Sequence, residues 1–424
     1  MCDEPQYSDD MTVLEEYPLE EEESSFTVPD SVVKIGDSAF SGNTYLEEVC
    51  LPDSVTEIGD SAFKECISLY GVILPDSLEK IGAGAFQGCT MIDGFELPDS
   101  LKEIGEEAFA NCPISSITIP GSLEILGGCA FNGCYALEHI SVNKNNEHFE
   151  SIDGVLYSKD GILIRYPPAR KDTEFKVPDF VTEIGAGAFE YCTNLTSIIL
   201  PDSVKKIGKQ AFRQCKGLTS MTWPDSVTEI GYQTFSLCTS LEKICLPGTL
   251  EVIDGDAFAG CSSLENIDLP ESLKEIYSDA FSECPLRTVH IPGSVKKIAG
   301  TPFNWCCYLE DIIVSEDNTS FKAVDGVLYS NEGLLIAYSP AKPETEFRVP
   351  DFVTEIGCRA FDSCTNLVSV ILPDSVKKIE CYAFIECSSL KTIVIPDSVA
   401  EIDRAAFMGC ICLETKVPER HKDF

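Results

Sequence analysis

The residues best suited to chemistry in this chain are four histidines and 21 cysteines. His139, His148, His290 and His421 stand far apart in sequence, and none belongs to a Ser-His-Asp or H-E-x-x-H arrangement. No C-x-x-C occurs, and Cys410-Ile-Cys412 has no nearby histidine to complete a zinc site. Asp153-Gly154 and Asp325-Gly326 are turn signals that lack the further acidic ligands of a calcium loop. Glycines such as Gly59 and Gly82 recur singly and never cluster into a phosphate cradle. The sequence therefore assigns no catalytic residue, no metal ligand, no cofactor-binding residue and no cofactor, and the chain reads as a non-enzyme.

The spacing of those cysteines leads to what positions them. Thirteen lie three residues after a phenylalanine, as in LPDSVTEIGDSAFKECISL from Leu51 to Leu69. The phenylalanines are Phe40, Phe63, Phe86, Phe109, Phe131, Phe189, Phe212, Phe235, Phe258, Phe281, Phe303, Phe361, Phe384 and Phe407. Most steps are 23 residues, two are 22 and two are 58. A 23-residue period falls within the window of leucine-rich repeats.

Each unit reads L-x-x-I-x-L-P-D-S-V-x-x-I-G-x-x-A-F-x-x-C. The I-x-L piece alternates and predicts a short strand with its first and third residues inward. Proline ends it and Asp-Ser turns the chain. V-x-x-I predicts a second short extended segment, and x-x-A-F-x-x-C a single helical turn. Coils of this kind stack at about 4.8 Å, so each inward residue meets its own copy above and below. The expected fold is a repeat solenoid, α/β leaning to mainly β: a right-handed superhelix with parallel strands, short helical turns and two inserted β-hairpins. Seventeen coils are expected, with a spine roughly 80 Å long.

Two longer arms, 143–175 and 315–347, match at an offset of 172 residues. In each, GVLYS and a following apolar run flank Lys-Asp-Gly or Asn-Glu-Gly, which predicts a hairpin. YSDDMTVLEEYPLEEEESSFTVPDSV at the N-terminus is a worn third copy of the arm. The expected organisation is an acidic remnant or cap over 1–25, one solenoid over 26–417, and a tail over 418–424.

A formal charge of −39 argues against nucleic acid and anionic membranes, both of which require basic patches. No run of eighteen apolar residues appears, so membrane insertion is not expected. The N-terminus lacks a basic start and apolar core, and the C-terminus shows no anchoring signature. A full-length chain of this kind is expected in the cytoplasm. The periodic cysteines read as reduced, buried packing residues able to hydrogen-bond the loop backbone, in keeping with a reducing compartment. Asn43 takes their place in the first unit. Cys358 and Cys381, at the same place in adjacent coils, are the best candidates for a chance pair.

What remains is surface. The outward residue of each strand runs Thr27, Cys50, Ile73, Glu96, Thr118, Ser141, Lys176, Ile199, Thr222, Cys245, Asp268, His290, Ile313, Arg348, Ile371, Val394 and Lys416. Partner-binding candidates are Ile73, Ile199, His290, Ile313, Ile371 and Val394, with Tyr157, Tyr166, Tyr329 and Tyr338 on hairpins that either recognise partners or cover edges. Each has a plainer reading: β-propensity fills such sites, and a lone exposed histidine is ordinary.

The pattern P-D-S-V-x-x-I-G-x-x-A-F-x-x-C, over about Phe26 to Val417, resembles the BspA-type leucine-rich repeat family. That resemblance implies a right-handed solenoid and, for characterised members, adhesion to host matrix proteins or other cells, hence a surface or secreted location. It carries over no catalytic residues. The leading expectation is a protein-binding scaffold with a protein partner. A surface adhesin is the alternative, and a glycan-binding module fits less well because Trp223 and Trp305 are the only tryptophans.

Overall fold

The computed structural model describes residues 4–19 and 23–414. The chain forms a parallel β-solenoid of about 17 coils. Its contacts divide into two compact units, Met1–Leu195 with Lys206–Cys215, and Thr196–Lys205 with Lys216–Phe424.

In the first unit the V-x-x-I segments make two-residue strands that stack in parallel, with Lys34↔Glu57, Glu57↔Lys80 and Lys80↔Glu103 opposite one another. Val55, Ile58 and their copies Leu78 and Ile81 are fully buried. The I-x-L segments make a second sheet, Ser25–Thr27 beside Glu48–Cys50 beside Gly71–Ile73. The second unit repeats both sheets, with Glu355↔Lys378↔Glu401 in one and Arg348↔Ile371↔Val394 in the other. Phe95–Leu97, Ile244–Leu246 and Ile267–Leu269 form no ladder. The Phe95 ring packs between Phe86 and Phe109, at 4.9 and 4.6 Å.

The serine of P-D-S does more than turn the chain. Ser54, Ser77 and Ser100 donate to the carbonyls of Val32, Val55 and Leu78 in the preceding coil, at 2.6, 2.8 and 2.6 Å. Each of these bonds gives a backbone carbonyl of the preceding coil a donor.

The expected helical turn is absent: among the described residues no helix forms. Residues of the A-F segment instead form overlapping turns in which alternate amides point in different directions. Ala39, Ser41 and Asn43 donate back to Gly36, Ser38 and Phe40, whereas Ser38, Phe40 and Gly42 donate to Asp60, Ala62 and Lys64 of the next coil. Such alternation needs left-handed residues. The residue two after the phenylalanine has positive φ in all fourteen coils, including Glu65 at 58°, Asn111 at 61° and Trp305 at 59°. An α-helix would turn every amide along its own axis and leave none for the neighbouring coil. Left-handed non-glycine residues cost about 1–2 kcal/mol each, which the inter-coil bonds and packing offset.

The phenylalanines stack face to face in the core. Rings of Phe40, Phe63, Phe86 and Phe109 lie 4.8, 5.2 and 5.7 Å apart, with interplanar angles of 7°, 1° and 1°. Tyrosines extend this stack. Tyr17, Tyr166 and Tyr338 lie 5.1, 5.4 and 5.3 Å from Phe40, Phe189 and Phe361, and their amides donate to Ala39, Ala188 and Ala360. Each 58-residue step is thus 35 residues to a tyrosine and 23 more to the next phenylalanine.

The arms do not project as simple hairpins. Phe149–Ile152, Val155–Ser158 and Ile162–Arg165 form an antiparallel meander, turned first at Asp153-Gly154, where both φ are positive. Its last strand joins the V-x-x-I sheet in parallel, Leu163 opposite Ile184. Phe321–Val324, Val327–Ser330 and Leu334–Ala337 do the same beside Glu355–Ile356. At the N-terminus Gln6–Tyr7 pairs with Val13–Glu16, which lies parallel to Lys34–Ile35. Arms are therefore built into the core because their final strand supplies a coil with its extended segment.

Phe86→Ala should lower stability by about 3–5 kcal/mol, because the ring is fully buried between two stacked partners. Urea titration checks this, and a loss below about 1 kcal/mol would show a ring that does not hold the stack.

Candidate interaction surface

Alternation along each I-x-L strand sets one residue outward between two inward ones. Val49 and Val370 are buried, while Cys50 between Val49 and Leu51 is exposed. Thr27, Cys50, Ile73, Glu96, Thr118, Lys176, Ile199, Thr222, Cys245, Asp268, His290, Ile313, Arg348 and Val394 all face solvent; Ser141 and Ile371 are half-buried. Lys416 lies outside the described residues. Ile73 is the barest, at 81% exposed, with Val394 at 54%. Pairing fixes the neighbours within each unit: Cys50 sits opposite Ile73, and Ile371 lies between Arg348 and Val394. Ile313 adjoins His290.

The four hairpin tyrosines do not belong to this surface. Tyr157, Tyr166, Tyr329 and Tyr338 are 1, 1, 0 and 3% exposed. Tyr157 and Tyr329 pack edge-on against Phe180 and Phe352, and the other two continue the phenylalanine stack. Their place 23 residues before a repeat phenylalanine was the available signal. Trp223, at an inward place of its strand segment, is half-buried with its ring edge-on to Phe235 at 5.6 Å.

The V-x-x-I sheet carries a different outer skin. Opposed lysines and glutamates pair across coils: Lys34 with Glu57 at 2.9 Å, Lys80 with Glu103 at 3.1 Å, Lys206 with Glu183 at 2.7 Å and Lys378 with Glu355 at 2.9 Å. Each exposed pair contributes little, about 0–1 kcal/mol. Together they neutralise that face from within.

Cysteines form a polar seam inside the coils. Cys66, Cys89 and Cys112 each direct Sγ at the carbonyl of the phenylalanine in the preceding coil, Phe40, Phe63 and Phe86, at 3.0 Å. In the second unit Cys261, Cys284 and Cys387 do so toward Phe235, Phe258 and Phe361 at 3.2, 3.1 and 3.0 Å. Asn43 does the equivalent work at the array's start, reaching the Pro18 carbonyl and accepting from Tyr45 and Leu46. Among the described residues no cysteine is in a disulfide and no group of three or more potential ligands is placed to hold a metal ion. His139, His148 and His290 are exposed in separate coils, and His421 lies outside the described residues.

Burial pushes the Cys66 and Cys134 thiols from an ordinary 9.0 up to about 12. Unfolded thiols lose protons near pH 9 while folded ones keep them, so the folded state binds more protons above that pH. Stability should therefore hold up to about pH 9 and fall steadily toward pH 12, as urea midpoints at pH 8 and pH 10.5 would show. An unchanged midpoint would mean that these thiols are open to solvent.

Comparison with known proteins places this geometry. The model for the BspA type leucine rich repeat region matches residues 20–138, 171–258, 238–324 and 338–421. A leucine rich cell surface protein from Faecalibacterium prausnitzii is 32% identical, over 69% of this chain and 79% of that one, with a TM-score of 0.55. A leucine-rich repeat protein from Eubacterium ventriosum is 25% identical over 96% and 90%, with a TM-score of 0.44. A search of the curated proteins finds no match. Among the described residues no helix is long and apolar enough to cross a membrane. With period, stack and family model in agreement over most of its length, the chain belongs to the BspA-type leucine-rich repeat family.

Proposed function

We propose that the chain is a non-enzymatic scaffold that binds a protein partner through the outward row of its I-x-L sheet. The observation that carries this reading is the contrast between the two sheets. One face has lysines and glutamates paired with each other, whereas the other presents apolar side chains in register, exposed Val394 beside half-buried Ile371 and exposed Ile73 beside the exposed thiol of Cys50. Adjacent apolar side chains held at strand spacing offer a partner desolvation without reorganisation. Arg348, next to Ile371, adds the kind of side chain that anchors interfaces. Only two tryptophans occur, Trp223 half-buried, which leaves sugar stacking little to work with.

A surface adhesin is the second reading. It is favoured by the Faecalibacterium relative, described as a cell surface protein, at 32% identity. Fractionation of the native cells separates the two readings, since protein confined to the cytosol would remove the adhesin.

The binding face itself is tested with a photo-crosslinking residue at Val394 or, on the charged sheet, at Glu401. Exposed to source-cell protein, the Val394 probe should give a discrete adduct that Ile371→Glu suppresses at least about tenfold, a change equivalent to about 1.4 kcal/mol. Adducts arising equally from Glu401, or none from Val394, would reject this face.

A further inference from the structure

Cys358 and Cys381 stand apart from the other cysteines. Both lie three residues before a repeat phenylalanine, on the outer side of the turn that follows the V-x-x-I strand. Their strands are in register, Glu355 opposite Lys378 and Ile356 opposite Ile379, and the Arg359 amide donates to the Cys381 carbonyl at 3.3 Å. The two sulfurs approach to 3.1 Å, and both residues are half-buried. Parallel strands about 4.8 Å apart lie inside the roughly 4.4–6.8 Å Cα range of disulfides. Bond formation then requires the sulfurs to close by about 1 Å.

We propose that Cys358 and Cys381 are a redox-active thiol pair, a modification site at which a disulfide-class oxidant such as oxidised glutathione links adjacent coils. One thiolate attacks the glutathione disulfide, forming a mixed disulfide and releasing one glutathione thiolate. The second cysteine, once deprotonated, attacks the mixed disulfide and releases the other glutathione. Two protein thiols are oxidised by two electrons, one glutathione disulfide is reduced to two thiols, and the two protons pass to the released thiolates.

The cysteines inside the coils do not share this chemistry. Cys387 directs its sulfur at the Phe361 carbonyl and Cys364 at the Asp362 carbonyl, and both are fully buried where an oxidant cannot reach. Cys50 and Cys245 are exposed, but Cys50 faces Ile73 across the ladder. Other thiols also touch, Cys387 with Cys364 and Cys410 among them, but Cys387 is buried; among the described cysteines only 358 and 381 are in thiol contact with both members half-exposed. Burial and the neighbouring Cys381 thiol raise the Cys358 pKa to about 12, so exchange is slow at neutral pH and should quicken about tenfold per pH unit from pH 6.5 to 8.

The test exposes the intact chain to millimolar oxidised glutathione, then alkylates, denatures and digests it with trypsin. The expected product joins the Val349–Arg359 peptide to the Ile379–Lys391 peptide, and two of the 21 thiols disappear. Because Cys387 shares the second peptide, Cys381→Ser locates the bond: it should abolish the link while the circular dichroism spectrum stays unchanged. No link in the wild-type chain, a link that survives Cys381→Ser, or thiol loss spread over the buried cysteines would each overturn the proposal.

Discussion

Every second amide of the A-F turn points along the stack, and this constraint governs the rest of the fold. Phe40, Ser38 and Gly42 can donate to the next coil only because intervening residues turn back on their own coil. That pattern forces left-handed backbone at a fixed place in every unit, whatever the side chain: glycine at 42, glutamate at 65, tryptophan at 305. It also sets the coil spacing that brings the phenylalanine rings face to face. A side chain that breaks the stack therefore also disturbs the hydrogen bonds on either side of it.

This dependence explains what the sequence could and could not disclose. Apolar and aromatic periodicity was legible because stacked copies must match: Phe63, Cys66 and Leu69 recur at 23 residues and are all fully buried. The turn was misread as helical because Ala and Phe pointing inward fit either geometry, and the left-handed places are filled by residues of many types. Tyr166 and Tyr338 were missed for a related reason. An aromatic ring is what the stack requires, and Tyr-Pro satisfies it without resembling Ala-Phe. Counting back 23 residues from Phe189 or Phe361 identifies both. The outward row was read correctly as exposed, apart from two half-buried members, since strand alternation leaves no choice of face. The pairing of charges across the V-x-x-I sheet was not legible, because it depends on the register of neighbouring coils rather than on composition.

Polar side chains inside the coils follow one rule. At most coils a carbonyl that would be sealed without a donor receives one from a short side chain of the next coil. Serine of P-D-S serves one position and cysteine after Ala-Phe the other. A thiol is a weak donor, yet it fits where a hydroxyl would bring a stronger need for a second partner. Its burial keeps it protonated and unreactive. Cysteines at the Cys358 place escape that rule, since no carbonyl claims their sulfur, and they face each other instead.

The arms show the same rule at the breaks in the array. After Val142 the regular coil gives way to the meander, and the serine of the next P-D-S is missing. Asn146 takes over: its amide donates to Pro120 and Leu123 at 2.8 and 3.0 Å, and its carbonyl accepts from His148 and Phe149. Asn318 repeats all four bonds with Pro292, Val295, Ser320 and Phe321. One hydroxyl donor suffices between identical coils, but an irregular loop leaves two carbonyls and two amides to satisfy, and only an amide side chain offers both kinds of partner. The arm then re-enters the array with a strand beside Glu183–Ile184 and a tyrosine beneath Phe189, so the stack resumes in register. An insertion of this kind alters the surface locally while the hydrogen-bond pattern on either side stays whole. That is how a repeat chain can vary what it shows to a partner without giving up the packing that holds it together.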